Sequence, residues 1–209
     1  MSLPRIWLIT DPEAPAGPLH AIRAALDGPG RDRVAVVLRA KEASGRTFLE
    51  WAEALRRWTT SSRSALYIHG RPDVAQVVAA EGVHLAESGL PIATVRARWP
   101  MLTVGVSRHD REGLRTAANL GADYAFLSPV HAVAGKNPPL GIGGFARIVV
   151  DTTTPVVALG GVEPEHVAPL LEVGAQGVAV QRALYRAKDP RQALDRLLHA
   201  LDNHPPTDR

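Results

Sequence analysis

The sequence contains no cysteine. This absence excludes disulfide bonds, thiolate metal sites and a cysteine nucleophile, and it leaves the redox compartment undecided. No charge of one sign dominates: the net charge at pH 7 is +3, and the basic residues neither cluster nor alternate with aromatic side chains, which argues against a nucleic-acid surface. The sequence has no apolar run as long as a membrane span and no signal-peptide pattern at its start. We therefore expect a cytoplasmic protein with neither a nucleic-acid nor a membrane partner.

Lysine is also scarce, because almost all basic side chains are arginines. The three lysines are Lys41, Lys136 and Lys188. A lysine kept in such a sequence either meets a need for a compact, strongly hydrated ammonium or is simply an exposed residue. The sequence leaves both interpretations open.

The stretch from residue 103 to residue 130 is the most informative about the fold. It reads as a β-branched strand, an amphipathic helix with Asp110 at its N-cap position, a left-handed turn at Gly121 and a second strand. Polar residues follow both strands: Ser107, Arg108, His109, Ser128 and His131. Polar side chains beyond the C-terminal ends of successive strands are typical of an α/β-barrel active site.

The same alternation of strand and helix covers the whole chain. Eight runs are predicted as strands: Ile6–Thr10, Val34–Leu38, Ala65–Ile68, Val83–Leu85, Leu102–Val106, Tyr124–Leu127, Val156–Leu159 and Gly177–Val180. Eight helices are predicted to follow them: Pro18–Leu26, Thr47–Trp58, Pro72–Ala80, Pro91–Trp99, Arg111–Leu120, Ile142–Val150, Pro164–Val173 and Pro190–Leu201. This pattern predicts an α/β fold, a single (βα)₈ TIM barrel, with an open doubly wound sheet as the rival. We expect one domain over residues 1–203 and a frayed tail over 204–209.

Two groups of residues at the strand ends are candidates for anion binding. Arg39 and Lys41 follow the second strand and could both reach one phosphate or carboxylate, although a solvated loop pair is the simpler alternative. The phosphate candidates after strands 7 and 8 are Gly160, Gly161, Gln181 and Arg182. In such barrels these two loops often bind phosphate through backbone N–H groups, but a Gly-Gly pair is more often only a turn.

Four histidines lie in or after consecutive strands, which invites a metal hypothesis. They are His69, His84, His109 and His131. Their spacing lacks a tight ligand pattern, and Glu87 is the one acid that accompanies them, so we predict no metal site. His84 is interpreted as a hydrogen-bonded core residue. The Gly- and Pro-rich segment Ser128–Gly141 is long enough to cover a bound ligand.

Seven motifs resemble the thiamine phosphate synthase/TenI family, in order and over nearly the whole chain. They are LITDP (Leu8–Pro12), RAK (Arg39–Lys41), GVHLAES (Gly82–Ser88), GVSRH (Gly105–His109), GADYAFLSPV (Gly121–Val130), ALGGV (Ala158–Val162) and GAQGVAV (Gly174–Val180). The resemblance implies a barrel enzyme of thiamine biosynthesis that binds a small phosphorylated thiazole of that pathway. It also implies a homo-oligomer, as is common in the family.

The resemblance leaves two activities open. Synthases of this family join hydroxymethylpyrimidine pyrophosphate to thiazole phosphate, with Mg²⁺ held by aspartates after strands 3 and 4. Those two positions are Gly70 and Gly89 here, and a glutamine of the synthases is replaced by Val37. The synthases' Thr-x-Thr-Lys loop keeps only Lys136. These departures weaken the transferase interpretation, which would require Mg²⁺.

The TenI branch resembles this chain where it departs from the synthases, notably over Gly70–Asp73. Members of that branch isomerise a carboxythiazole phosphate, using a histidine that aligns with His109 as the acid/base. The preferred prediction is therefore a thiazole tautomerase that needs no metal or cofactor. Substrate or anion binding is assigned to Arg39, Lys41, His69, Ser107, Ser128 and Lys136. Arg182 replaces the family's usual serine near the phosphate, and a catalytically silent, ligand-binding paralogue is a third alternative.

Overall fold

The computed structural model describes residues 3–28 and 30–204, so most of the predicted tail, residues 205–209, lies outside the described residues. Eight parallel strands close into a barrel in sequence order, with β1 hydrogen-bonded to both β2 and β8. The strands are β1 (Ile6–Ile9), β2 (Val34–Leu38), β3 (Ala65–His69), β4 (Gly82–Leu85), β5 (Thr103–Arg108), β6 (Tyr124–Leu127), β7 (Val156–Leu159) and β8 (Gly177–Val180). The predicted (βα)₈ TIM barrel is confirmed, and the open sheet is excluded.

Helices follow every strand and cover the outside of the barrel. They are α1 (His20–Leu26), α2 (Gly45–Ser62), α3 (Pro72–Val77), α4 (Ile92–Arg98), α5 (Arg111–Asn119), α6 (Gly141–Val149), α7 (Val167–Glu172), α8 (Arg182–Tyr185) and α9 (Pro190–Asp202). None of these helices, which come from the described parts of the chain, combines the length and the apolarity that a membrane span requires. The longest, α2, buries Phe48, Ala52 and Leu55 as one apolar face, and each large side chain stabilises the fold by roughly 1.5–3 kcal/mol.

Several element ends differ from the sequence prediction by a few residues, and three differences concern the elements themselves. Strand β5 continues through Arg108, because its guanidinium donates to the carbonyls of Ser107 and Gly113 and can therefore be buried. The seventh helix begins with a separate 3₁₀ turn, Pro164–His166. The four-residue helix α8 was not predicted, since one turn is too short to show a helical period.

Aromatic rings fill the interior of the barrel. Along each strand, residues that face this interior alternate with residues that face the helices. Trp7 stacks on Tyr124 with ring centroids 4.5 Å apart, and Phe126 and Tyr67 complete the cluster. Gly105 lies opposite Tyr124 in the β5–β6 register, and a Cβ at this position would be 1.9 Å from Tyr124 Cζ. The absent side chain of Gly105 thus provides the space for the ring.

Candidate active site

The polar candidates lie at one end of the barrel, which we call the mouth. Because all eight strands run in parallel, their C-terminal ends open on the same side. His69 ends β3, Ser107 is the last residue but one of β5, and His109 directly follows β5. The loops after β2, β6, β7 and β8 carry the remaining candidates near the strand ends: Arg39, Lys41, Ser128, Gly160, Gly161, Gln181 and Arg182.

His109 is held in one tautomer by the loop that follows β6. Its Nδ1 lies 2.6 Å from the carbonyl oxygen of Ser128, and Ser128 Oγ is 3.4 Å from the same nitrogen. A carbonyl oxygen only accepts hydrogen bonds, so Nδ1 carries a proton, and in the neutral form of the ring the lone pair is on Nε2. The side chain is 39% exposed. His109 therefore presents an accessible proton acceptor at the mouth.

Glu87 is a neighbour of His109 that sequence reasoning did not assign to the site. Its Oε2 lies 3.9 Å from His109 Nε2. Glu87 follows β4 by two residues, and β4 pairs with β5, so the two side chains share one edge of the mouth. The sequence does place Glu87 in the GVHLAES motif, as its one acidic residue. Its proximity to His109, however, depends on the register of β4 against β5.

His69 is a neutral group next to two cations. Burial, followed by the nearby charges of Arg39 and Lys41, lowers the pKa of His69 to about 4. The loop that carries Arg39 is fastened to the end of β1, because Thr10 Oγ1 accepts from Arg39 N and donates to Arg39 O at 2.8 and 2.9 Å. The structure thus brings His69, Arg39 and Lys41 together, with the positive charge on the latter two.

The predicted phosphate region has a packing function that the sequence did not reveal. Gly160 and Gly161 have φ angles of +103° and +63°, and added Cβ atoms would lie 2.8 Å from Pro129 Cα and 2.8 Å from His131 Cβ. Both glycines are therefore required by the close approach of the loop after β6. Gln181 Nε2 donates to Thr10 O at 3.2 Å, across the seam between β8 and β1.

Lys136 is carried by the same segment after β6 as Ser128. It is exposed, in a turn closed by the hydrogen bond from Lys136 N to Val133 O at 3.1 Å. Over residues 3–28 and 30–204, no side-chain hydrogen bond or ion pair joins it to the mouth. The segment Ser128–Gly141 is anchored at its base, where Val130 N donates to Leu159 O at 2.9 Å. Its predicted function as a cover over ligand stays a prediction.

The four histidines have different neighbours, and the absence of a metal site stays a prediction. His69 and His84 have ring centroids 6.0 Å apart, whereas His131 stacks on His166 at 3.9 Å. Throughout the part of the chain that the structure describes, no three His, Asp or Glu side chains are grouped so that they could hold a metal ion. His84 is satisfied inside the barrel, as interpreted, through Tyr124 and Ser107.

Comparison with known proteins identifies the family. A family model described as thiamine monophosphate synthase matches residues 6–184. The chain belongs to the thiamine monophosphate synthase/TenI family. A putative thiamine-phosphate synthase of Geobacter sulfurreducens is 37% identical over 202 residues, which cover 94% of this chain and 93% of the relative. The thiamine-phosphate synthase of Vibrio parahaemolyticus is 32% identical and covers 97% of this chain and 100% of its own length.

A solved structure of the same family supports the fold. The thiamine phosphate pyrophosphorylase from Pyrococcus furiosus superposes with a TM-score of 0.86 at 30% identity, over 95% of this chain and 96% of that chain. The resemblance drawn from the sequence motifs is thereby confirmed for the thiamine monophosphate synthase/TenI family as a whole. These relatives carry synthase names, which favour the transferase over the tautomerase.

Proposed function

We propose that this member of the family isomerises a phosphorylated carboxythiazole to its aromatic tautomer, with His109 as the acid/base. The observation that carries the proposal is the hydrogen bond from His109 Nδ1 to Ser128 O, which leaves Nε2 as an accessible proton acceptor. A tautomerisation moves one proton between two carbons of the substrate. One imidazole that accepts and returns a proton near neutral pH is sufficient for this step.

The proposed reaction is balanced without a co-reactant. Nε2 of His109 removes a proton from one carbon, and the electron pair of that C–H bond passes into the ring. The imidazolium keeps its Nδ1–H on Ser128 O, and the Glu87 carboxylate, 3.9 Å from Nε2, attracts the positive charge. Nε2 then returns the proton to the second carbon, and the aromatic product leaves.

Two anionic groups of the substrate have matching partners at the mouth. Arg39 and Lys41 would hold the carboxylate, because they supply the positive charge beside the neutral His69. The phosphate would lie against the backbone of Gly160–Gly161 and the guanidinium of Arg182. Helix α8 begins at Arg182 and has only four residues. We therefore assign the attraction of the phosphate to the Arg182 side chain rather than to the helix dipole.

Thiamine phosphate synthesis is the second candidate, and the names of the relatives favour it. That reaction requires Mg²⁺, for which the residues of this chain are a poor fit. The positions where the resemblance implies aspartates are Gly70 and Gly89. Of the nearest carboxylates in sequence, Glu87 lies two residues before Gly89, and Asp73 is paired with Arg71 at 2.7 Å. We therefore assign no step to a metal, and our proposal requires neither a metal nor another cofactor.

A split assay on the purified protein separates the candidates. One half contains the non-aromatic carboxythiazole phosphate without metal, and its absorbance is followed. The other half contains hydroxymethylpyrimidine pyrophosphate, thiazole phosphate and Mg²⁺, and pyrophosphate release is followed. We expect turnover in the first half only. Pyrophosphate release in the second would contradict the proposal, and silence in both would favour the ligand-binding paralogue.

His109→Ala should lower kcat of the isomerisation by about 10²–10⁴-fold, the usual contribution of a general acid/base. The matched control is His199→Ala, which removes an exposed histidine of α9, far from the mouth in the fold. Circular dichroism should show both variants folded. A His109→Ala enzyme as fast as the control would remove His109 from the mechanism.

A further inference from the structure

Three inward-facing side chains on adjacent strands form a hydrogen-bonded chain from the barrel interior to the mouth. His84 on β4 has Nδ1 3.2 Å from Tyr124 Oη and Nε2 2.9 Å from Ser107 Oγ. Tyr124 is completely buried and His84 is 2% exposed, whereas Ser107 is partly exposed. We call this chain the Tyr124–His84–Ser107 relay. Ser107 is the last residue but one of β5, and His109 directly follows that strand, so the relay ends two residues before His109.

The direction of each hydrogen bond in the relay follows from the partners available. Burial raises the pKa of Tyr124 well above 10, so its hydroxyl keeps its proton. Among the described residues, His84 Nδ1 is the one hydrogen-bond partner found for this hydroxyl. A buried O–H without an acceptor is strongly unfavourable, so Tyr124 donates to Nδ1.

The orientation of Tyr124 fixes the tautomer of His84. Burial, followed by the nearby charges of His69 and Arg108, holds the pKa of His84 well below 6.5, so the ring has a single proton. Because Nδ1 accepts from Tyr124, that proton is on Nε2, which donates to Ser107 Oγ. Ser107 Oγ thus accepts this hydrogen bond through one of its two lone pairs, and its own hydrogen is free to point elsewhere.

We propose that the relay leaves the Ser107 hydroxyl hydrogen free at the mouth, where it donates to an acceptor atom of the substrate. His84 and Tyr124 are then positioning residues, which act through Ser107 and do not touch the substrate. The acceptor would be a carboxylate oxygen or the ring nitrogen of the thiazole, and in this respect the inference rests on the proposed function.

The tautomer of His84 can be measured in the unliganded protein. In a ¹⁵N-labelled sample, imidazole nitrogen shifts distinguish Nε2–H from Nδ1–H, and the His84 signals are identified by their loss in His84→Gln. We expect Nε2–H in the wild type and a mixture of tautomers in Tyr124→Phe. The matched control is Tyr67→Phe, because Tyr67 belongs to the same buried cluster but does not contact His84 through its hydroxyl. An Nδ1–H ring in the wild type would overturn the relay.

Binding of the aromatic carboxythiazole phosphate, measured by calorimetry, tests the consequence for the ligand. Ser107→Ala should weaken binding about 10-fold, as expected for one lost hydrogen bond. Tyr124→Phe should weaken it about 3-fold, and should add nothing in a Ser107→Ala background because it acts only through Ser107.

An undiminished effect of Tyr124→Phe in the Ser107→Ala background would mean a general packing defect and overturn the positioning roles. If the wild type failed to bind the compound, the proposed function and the ligand part of this inference would both be wrong. The tautomer measurement would still decide the relay separately.

Discussion

At the scale of single residues, Gly105 shows how a missing side chain organises the barrel interior. A Cβ at this position would lie 1.9–2.4 Å from three ring carbons of Tyr124, which is completely buried and stacked on Trp7. Gly105→Ala should therefore lower the free energy of unfolding by about 3 kcal/mol, the upper end of ordinary overpacking. Urea denaturation measures this loss.

Gly45→Ala is the matched control for that substitution. Gly45 is the first residue of α2, and a Cβ there meets nothing within 4 Å. Alanine at this position should be neutral or slightly stabilising, because it favours helix over the unfolded chain. Equal stability of the two alanine variants would show that Tyr124 can move aside freely.

Single candidate residues were predictable where their chemistry follows a strand end in the sequence. His109, Ser107 and Ser128 are of this kind, and the structure places all three at the mouth. The contacts of His84 and Glu87 were not predictable, because they depend on which residues of neighbouring strands are opposite one another. Period-two alternation gives the face of a residue, but not its register against the next strand.

At the scale of secondary-structure elements, Asp110 defines the start of α5. Its Oδ1 accepts from Gly113 N at 2.7 Å, and its backbone is extended, as an N-cap residue requires. Asp110→Ala should lower the free energy of unfolding by about 1 kcal/mol. Asp110→Asn keeps the acceptor without the charge and should be nearly neutral in the same urea experiment. An equal loss in both variants would assign the effect to the helix dipole instead.

The number and type of the elements were predictable, and their ends less so. Asp110 and Gly121 bounded α5 as expected, since a cap and a left-handed glycine are local requirements. Strand β5 is longer than predicted because the Arg108 guanidinium donates hydrogen bonds to backbone carbonyls and can be buried. No local sequence pattern predicts these contacts. Helix α8 is anchored by the hydrogen bond from the Tyr185 hydroxyl to Pro18 O, from the other end of the chain.

At the scale of the whole molecule, two neutral histidines, the buried His84 and the partly buried His69, predict a dependence of stability on pH. The pKa of His69 is lowered by burial to about 4, and that of His84 is lowered by burial as well. Between pH 6.5 and pH 4 the unfolded chain binds protons that the folded chain does not, so stability falls as the pH falls through this window. His69 alone would contribute roughly 3 kcal/mol of loss, and above pH 6.5 its contribution is complete.

Urea denaturation at several pH values between 4 and 7.5 measures this dependence. His69→Asn is expected to flatten the curve between pH 4 and 6.5, since one of the two titrating groups is gone. Asp73 and Asp202 act in the same direction at lower pH, because hydrogen bonds from Arg71 and Arg33 lower their carboxyl pKa values below 3.8. A curve that is level across the window would contradict the neutral state of His69.

The closed barrel was predictable from the sequence because eight strand-helix units repeat without a break in composition. The family was predictable as well, since its motifs follow the strands in order. The branch was not, because the relatives' names and the residues at Gly70 and Gly89 favour different activities. The homo-oligomer and the cytoplasmic location stay predictions.

The pairing of β1 with β8 has a consequence for synthesis on the ribosome. Trp7 of β1 lies opposite Ala179 of β8, and Val178 N donates to Arg5 O at 2.8 Å. One edge of β1 therefore stays unpaired until β8 has been synthesised. At ordinary rates of translation the intervening chain takes roughly 10–35 s to emerge. During that interval the nascent chain exposes an apolar strand edge, to which chaperones and other nascent chains have access. The rate of translation therefore determines how long this edge of β1 is exposed before the barrel can close.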